Sequence, residues 1–133
     1  MTVHWDTESL ERTGSGPIWG GVWCEIEGEA FPEQGWSDFP VLFAAELLDA
    51  FAEVASAPRR RRRVRFYDGP FRVELASGEN GAVILTAESR SAELPVDSLT
   101  SAAAGLVRAC TAHGWAEDPE VRRIRAALIR IGR

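Results

Sequence analysis

The sequence contains no lysine, so all 15 basic residues among its 133 are arginines. It has only two cysteines, Cys24 and Cys110, which cannot build a disulfide framework and give no sign of an oxidising compartment. No apolar run approaches the length needed to cross a bilayer, and the N-terminus lacks the basic and then apolar pattern of a secretory signal. These absences argue against a disulfide-rich mini-protein and a membrane protein, and we expect a cytoplasmic protein.

The residues that are present have the composition of a soluble globular protein, with 45% apolar and 26% charged residues. The net charge of −5 argues against a generally basic nucleic-acid binder, but it is divided unevenly along the chain. Before Pro58, eleven carboxylates face the single base Arg12, which gives −10; from Pro58 onwards, nine carboxylates face fourteen arginines, which gives +5. Such an asymmetry can steer a charged partner, unless the fold interleaves the two halves and dilutes the field.

The first 30 residues contain a polar arm and a strand. Residues 1–16 are polar and are expected to form an arm that either docks on the body of the protein or moves freely. Between Ile18 and Ala30, apolar residues alternate with charged or aromatic ones, which is the period-two pattern of a half-buried strand. The pair Gly20-Gly21 within this strand predicts a β-bulge.

Helical and strand-like patterns follow in the rest of the chain. Short spacings with Asp-Gly and Asn-Gly turn residues predict an antiparallel meander. Its strands are expected at Val64–Tyr67, Phe71–Leu75, Ala82–Ala87 and, more briefly, Ser91–Leu94. The predicted helices run from a cap at Ser37 or Asp38 to Ala55, from a cap at Asp97 to Gly114, and from Asp118-Pro119 towards the C-terminus. The prediction is an α+β fold of one domain over residues 1–133: a single antiparallel β-sheet of four to five strands with three helices, in the order β-α-β-β-β-(β)-α-α.

Three carboxylates dominate the predicted first strand. Glu25, Glu27 and Glu29 lie two residues apart, so we expect them to project from one face. Such a cluster could bind Mg²⁺ or act as a general acid and base, but both roles need a pocket and a further group, for which Asp38 is the nearest candidate in sequence. The alternative is that these carboxylates lie on an ordinary solvent-exposed strand face without a function of their own. We favour a third interpretation, an acidic surface beside Trp19, Trp23 or Trp36 that suits a basic protein partner. The tryptophans themselves are expected first of all to fill the core between the sheet and the first helix, because aromatic side chains dominate core packing, and a partly exposed indole would be a good anchor.

The arginine run Arg59–Arg63 is the most conspicuous local pattern. Basic runs occur in nucleic-acid binding patches, but this one has no interleaved aromatic residues and no recognition module around it. We therefore expect a solvated loop, or internal partners for the carboxylates of the preceding helix, and no nucleic-acid binding. Cys110 and His113 lack the further ligands of a zinc motif, so no metal site or cofactor is expected.

Two stretches carry a resemblance to known proteins. They are Trp-Cys-Glu-Ile-Glu-Gly-Glu-Ala-Phe-Pro-Glu-Gln-Gly-Trp-Ser-Asp-Phe over residues 23–39 and Phe-Tyr-Asp-Gly-Pro-Phe over residues 66–71. This part of the chain resembles small uncharacterised bacterial proteins that look like the immunity partners of polymorphic or contact-dependent toxins. The resemblance implies a small acidic cytoplasmic protein that binds and blocks one toxin domain, and it carries over no catalytic residue.

Sequence and resemblance together predict a non-enzymatic, immunity-type protein that neutralises a toxin with a basic cleft. The residues expected to contact the partner are acidic side chains and one tryptophan: Glu25, Glu27, Glu29, Glu33, Trp36, Asp38, Glu46, Asp49 and Glu53. An adaptor or regulator of another kind is the first alternative, and a carboxylate-dependent metal enzyme built on Glu25 and Glu27 is the second. No membrane contact is expected, and a homo-oligomer stays open.

Overall fold

The computed structural model describes residues 1–132 and contains, within them, eight strands and three α-helices. The α+β class is confirmed, but the strands form two antiparallel sheets of four strands each, where the sequence predicted one sheet. The elements are β1 (Thr2–Arg12), β2 (Ile18–Ile26), β3 (Glu29–Phe31), β4 (Ser37–Asp38), α1 (Pro40–Ala55), β5 (Arg61–Arg65), β6 (Arg72–Ser77), β7 (Val83–Ala87), β8 (Arg90–Glu93), α2 (Val96–Ala112) and α3 (Pro119–Ile131).

The first sheet contains β1 to β4 and is centred on β2. Strand β1 pairs with one edge of β2, while the short strands β3 and β4 pair with different parts of its other edge. Val22, Cys24 and Ile26 are buried, as the predicted alternation requires. Residues 1–16 do not form the predicted polar arm, because residues 2–12 are strand β1 and pair with β2.

A tight turn divides the strand that was predicted over residues 18–30. Glu27 and Gly28 have φ angles of 55° and 80°, and Ile26 pairs directly with Glu29 across them. Two positive φ angles in a two-residue loop are typical of the type I′ hairpin turn, which needs a glycine or a similarly permissive residue. The segment is therefore a hairpin of β2 and β3, and not one continuous strand.

The second sheet contains β5 to β8 in their order along the chain, with every neighbouring pair antiparallel. This is the meander that the spacing and turn residues predict. The alternation of Val73 and Leu75 on β6 and of Val83 and Leu85 on β7 places these four buried side chains on one face of the sheet. The opposite face of the second sheet is open to solvent.

Helix α1 occupies the centre of the hydrophobic core. It packs against β2 of the first sheet, against β5 and β6 of the second, and against α3. Buried residues therefore surround most of its circumference: Val41, Phe43, Ala44, Ala45, Leu47, Leu48, Ala50, Phe51 and Val54. Its N-cap is Phe39, and not Ser37 or Asp38 as predicted, since β4 extends to Asp38 and no side chain caps the helix.

The other two helices have well-defined ends. Helix α2 ends in a Schellman arrangement, in which Gly114 has a φ of 84° and the Trp115 N–H donates to the Cys110 carbonyl at 2.9 Å. Helix α3 begins at Asp118, whose side chain accepts from the N–H groups of Glu120 and Val121, as the sequence predicts. Within residues 1–132, no helix has both the length and the apolar character that a bilayer crossing requires.

Candidate functional site

The outer face of the first sheet carries tryptophans and carboxylates side by side. The register places His4 opposite Trp23, Asp6 opposite Gly21, and Glu11 opposite Trp19. Directly opposite residues in an antiparallel pair point to the same side of the sheet. We call this surface the acidic face and define it by Asp6, Glu11, Trp19, Trp23 and Glu25.

The helices pack on the other side of this sheet, which leaves the acidic face uncovered. Val3 and Val22, whose side chains alternate with those of the acidic face, are buried. Trp5 also points inwards, and its Nε1–H donates to the Ala102 carbonyl of α2 at 2.9 Å. Helices α1 and α2 contact β2 and β1 respectively. A partner can therefore approach the acidic face without displacing any other described element.

Both tryptophans of the acidic face reach solvent while they are held by aromatic neighbours. Trp19 is 38% exposed, and its ring centroid lies 4.2 Å from that of Phe39. Trp23 is half-buried and stacks on His4, with ring centroids 5.3 Å apart. Aromatic rings that are fixed in place lose little conformational entropy on binding, which favours them as anchors in protein interfaces.

A bulge in β1 shapes the middle of the acidic face. The register shifts between Asp6 and Glu11, opposite the pair Gly20-Gly21 at which the sequence predicted a bulge. Ser9 closes the bulge, because its hydroxyl donates to the Asp6 carbonyl at 2.7 Å and accepts the Gly21 N–H at 2.9 Å. The exposed Glu8 lies within the bulge and so adds a carboxylate beside the strand.

The carboxylates of the acidic face have no arginine partner among residues 1–132. Glu25 approaches only the imidazole of His4, at 3.7 Å, and Asp6, Glu8 and Glu11 make no ion pair with a described residue. The negative charge of this surface is therefore not compensated locally and is available to an external cation.

The carboxylates predicted next to Glu25 do not share its face. Glu27 lies in the hairpin turn, and Glu29 pairs with the buried Ile26, so its side chain starts on the face opposite to that of Glu25. Glu29 also forms an ion pair with Arg90 of the second sheet. The expectation of three carboxylates on one strand face was wrong, because the turn at Glu27 reverses the chain. Glu33 lies exposed in the loop that follows β3.

Arginines of the second half of the chain pair with the carboxylates of α1. Asp49 accepts from Arg123 at 2.8 Å and 3.0 Å and from Arg130 at 2.9 Å. Glu46 lies 3.6 Å from Arg123, and Glu53 forms an ion pair with Arg62. The predicted interface role of Glu46, Asp49 and Glu53 therefore loses its basis, because these groups are engaged within the fold. Arg60 also lies 3.9 Å from Glu53, so two arginines of the run are internal partners for a carboxylate of the preceding helix, as one of the two expectations for the run has it.

The pKa of Arg123 reflects its ion pairs with these carboxylates. Burial lowers the pKa of its guanidinium, but hydrogen bonds with Asp49 and Glu120 outweigh burial and raise the pKa overall. Arg123 joins α3 to α1 through a charge-assisted pair that uses two of its nitrogens. The Tyr67 hydroxyl donates to Glu46 at 3.3 Å. The pKa of Tyr67 is raised, mainly by burial and next by the negative charge of Glu46.

Asp38 is buried, with 0% exposure, and cannot contact a partner as predicted. Its Oδ1 accepts the N–H groups of Phe39 at 2.7 Å and Tyr67 at 3.1 Å. Its Oδ2 accepts the Trp36 Nε1–H at 3.0 Å and the Asp68 N–H at 3.1 Å. The carboxylate therefore fixes the turn between β5 and β6 to the start of α1. Trp36 is half-buried, and its ring packs edge-on against Phe71.

The cysteines are not in reactive surroundings. Both are buried, and burial raises the pKa of Cys24 to about 12 and that of Cys110 to about 11, which keeps the thiols protonated at neutral pH. His113 stacks on Trp115 at 4.3 Å between ring centroids. In the part of the chain that the structure describes, no three His, Cys, Asp or Glu side chains are grouped so that they could hold a metal ion.

Sequence reasoning missed the contribution of β1 to the acidic face. The alternation of Val3 and Trp5 with His4 and Asp6 is a strand pattern, but the polar residues of the bulge interrupt it after two periods. Comparisons with protein-family models, with curated proteins and with solved structures give no match. These comparisons therefore do not bear on the function of the chain.

Proposed function

We propose that the protein is an immunity-type inhibitor that uses the acidic face to bind a basic protein toxin domain and block its cleft. The observation that supports this most directly is the placement of two solvent-reaching tryptophans among carboxylates that have no arginine partner within residues 1–132. Residues 23–39 and 66–71 resemble small uncharacterised bacterial proteins that look like toxin-immunity partners, and this resemblance favours the same class of partner.

The acidic face has the two properties that fast and specific protein binding needs. Uncompensated charge raises the rate of encounter with a partner of opposite sign, and this gain falls as salt screens the field. Fixed tryptophans supply apolar contact area at the centre of an interface, where a few residues carry most of the binding energy. Trp19 and Trp23 lie on the same face as Glu25, so one partner surface can contact all three.

A basic cleft is the partner surface that fits this arrangement. Toxins that cleave nucleic acid or use nucleotide cofactors need positive clefts, and an acidic surface complements such a cleft electrostatically. The carboxylates of α1 contribute little to this field, because arginines of the same chain neutralise them. The interaction surface is therefore narrower than the sequence predicted and lies on β1 and β2.

Co-expression with the product of the adjacent gene tests the proposal. We expect rescue of growth and a complex on a sizing column. Charge reversal by Glu25→Lys should slow association about tenfold at low salt and weaken its dependence on ionic strength. The matched control is Glu79→Lys, which reverses an exposed carboxylate next to the second sheet and should leave association unchanged.

Each possible outcome separates the alternatives. No rescue and no complex would refute the immunity function. A complex without any toxicity of the partner would favour the adaptor alternative on the same face. Equal association rates for Glu25→Lys and Glu79→Lys would show that the acidic face is not the contact surface, whatever the partner does.

A further inference from the structure

Strand β5 lies at an edge of the second sheet and leaves half of its backbone groups unpaired. The Phe66 N–H donates to the Phe71 carbonyl at 3.0 Å, and the Ser77 N–H donates to the Arg60 carbonyl at 2.9 Å. In an antiparallel ladder the residues that bond to the neighbouring strand alternate with residues that face away from it. The N–H and C=O groups of Arg61, Arg63 and Arg65 therefore face the free edge, and no described residue hydrogen-bonds to them.

The side chains at the same three positions are exposed arginines. Arg61 lies 3.7 Å from Glu74, and the Arg65 guanidinium lies over the Tyr67 ring at 5.1 Å from its centroid. Within residues 1–132, Arg63 makes no ion pair, and neither does Arg72 on the neighbouring strand. Glu74 lies directly opposite Arg63 and pairs with Arg61, but it is one carboxylate among four arginines, so the free edge keeps a net positive charge.

A surface hollow of about 540 Å³ lies beside this edge. Arg63 and Arg72 line it together with Phe71, Thr86 and the carboxylates of Glu74 and Glu88. The hollow is therefore balanced in formal charge, and the preference for an acidic segment comes from the row of arginines on β5. The hollow offers space for a side chain of a segment that pairs with β5.

We propose that the β5 edge binds an extended acidic segment of a protein partner by strand addition. The partner backbone would continue the ladder at Arg61, Arg63 and Arg65, and its carboxylates would meet the exposed arginines of this strand. This surface is separate from the acidic face, opposite to it in charge, and independent of the proposed immunity function. A second copy of the chain does not fit, because pairing β5 with β5 would oppose arginine to arginine.

A peptide fits the edge better than a nucleic acid does. The unpaired groups alternate along the strand as donors and acceptors of a β-ladder, and a phosphate backbone has no N–H groups with which to satisfy the carbonyls. A nucleic acid would use only the arginine side chains. The two classes therefore differ in whether the backbone of β5 takes part in binding.

The probe is a fluorescent peptide of about eight residues that alternates glutamate with valine or threonine, long enough to span ~27 Å as a strand. We expect saturable binding, with NMR shifts at the amides of Arg61, Arg63 and Arg65. Arg63→Glu should weaken binding about tenfold, as should N-methylation of alternate peptide nitrogens, which keeps the charge and removes the ladder. The control Arg122→Glu changes an exposed arginine of α3 and should bind as the unmodified protein does.

Several results would overturn the proposal. Equal binding of the peptide and its N-methylated form would show that the ladder is not used. Equal losses of peptide affinity in Arg63→Glu and Arg122→Glu would show that the effect comes from the overall charge of the protein. Absence of binding, or complete displacement of the peptide by a short oligothymidylate that binds more tightly, would also reject an acidic segment as the occupant. Circular dichroism of each variant checks that it is folded, and Arg63→Gln gives a second measurement if Arg63→Glu is not.

Discussion

Replacing Asp38 by asparagine removes an acceptor from a buried site that contains only donors. Two backbone N–H groups bond to Oδ1, while the Trp36 Nε1–H and the Asp68 N–H bond to Oδ2 at 3.0 Å and 3.1 Å. Asparagine keeps one oxygen and turns the other into an NH₂ group, which cannot accept. In either orientation of the amide, two donors then face a donor.

The size of the effect follows from the number of donors that lose their acceptor. A hydrogen bond to a charged group contributes about 1.5–3 kcal/mol, and a buried donor left without a partner costs about 1–3 kcal/mol. Rotation of the side chain and entry of water relieve part of this cost. For two donors we expect the free energy of unfolding to fall by about 2–4 kcal/mol, a large fraction of the ~5–15 kcal/mol that is usual for a domain.

Urea unfolding at neutral pH, followed by circular dichroism, measures this loss. Asp68→Asn removes the same charge from an exposed side chain in the turn that Asp38 holds, and should change the free energy of unfolding by less than about 0.5 kcal/mol. Trp36→Phe deletes one of the four donors, so it should cost less in the Asp38→Asn protein than in the unmodified one. A loss below about 0.5 kcal/mol for Asp38→Asn, or strict additivity with Trp36→Phe, would refute the reasoning.

Two further predictions concern groups inside the fold. The pKa of Cys24 is about 12 in the folded chain against an ordinary value of 9.0, so its contribution to stability is complete below pH 9 and is lost as pH rises towards 12. Between pH 9 and 10.5, the free energy of unfolding should therefore fall less steeply with pH in Cys24→Ala than in the unmodified protein, by up to ~1.4 kcal/mol per pH unit. An equally steep fall in both proteins would contradict this. Asp49→Asn should lower the free energy of unfolding by about 1–2 kcal/mol, because Arg123 loses its main partner. The difference should shrink in 1 M salt, whereas Glu117→Gln, at an exposed carboxylate without an ion pair within residues 1–132, should have almost no effect at any salt concentration.

Features that depend on neighbouring residues could be predicted from the sequence. The alternation in β2, the meander of the second sheet and the Asp118 cap of α3 each depend on a few consecutive residues. The division into two sheets could not be predicted, because it depends on which strand edges meet in space. Asp38 shows the same limit: its position before a helix predicts a cap, but its partners at Tyr67 and Asp68 lie about 30 residues away along the chain.

Of the residues that form the acidic face, only Glu25 was among those predicted from the sequence to contact the partner, and Trp19 and Trp23 were expected mainly in the core. Glu25 lies on the acidic face as an exposed strand carboxylate, in agreement with its local pattern. The carboxylates of α1 have an equally acidic pattern, yet Asp49 meets an arginine 74 residues further along the chain. No pattern near Asp49 in the sequence indicates that partner, because ion pairs between separate elements depend on how the elements pack. Counting the acidic residues in the sequence therefore overestimates how many of them belong to an uncompensated acidic surface.

The pairing of charges inside the fold changes what the division of charge along the chain means. The −10 of the first 57 residues and the +5 of the rest are not two separate fields, because α1 lies against α3 and β5 and its carboxylates pair with their arginines. Net charge is left in two places: it is negative on β1 and β2, where the carboxylates have no arginine partner, and positive along the free edge of β5, where the arginines outnumber Glu74. A partner that recognises one of these surfaces is repelled by the other. The two surfaces should therefore bind different partners, and Glu25→Lys and Arg63→Glu should each impair only one of the two interactions.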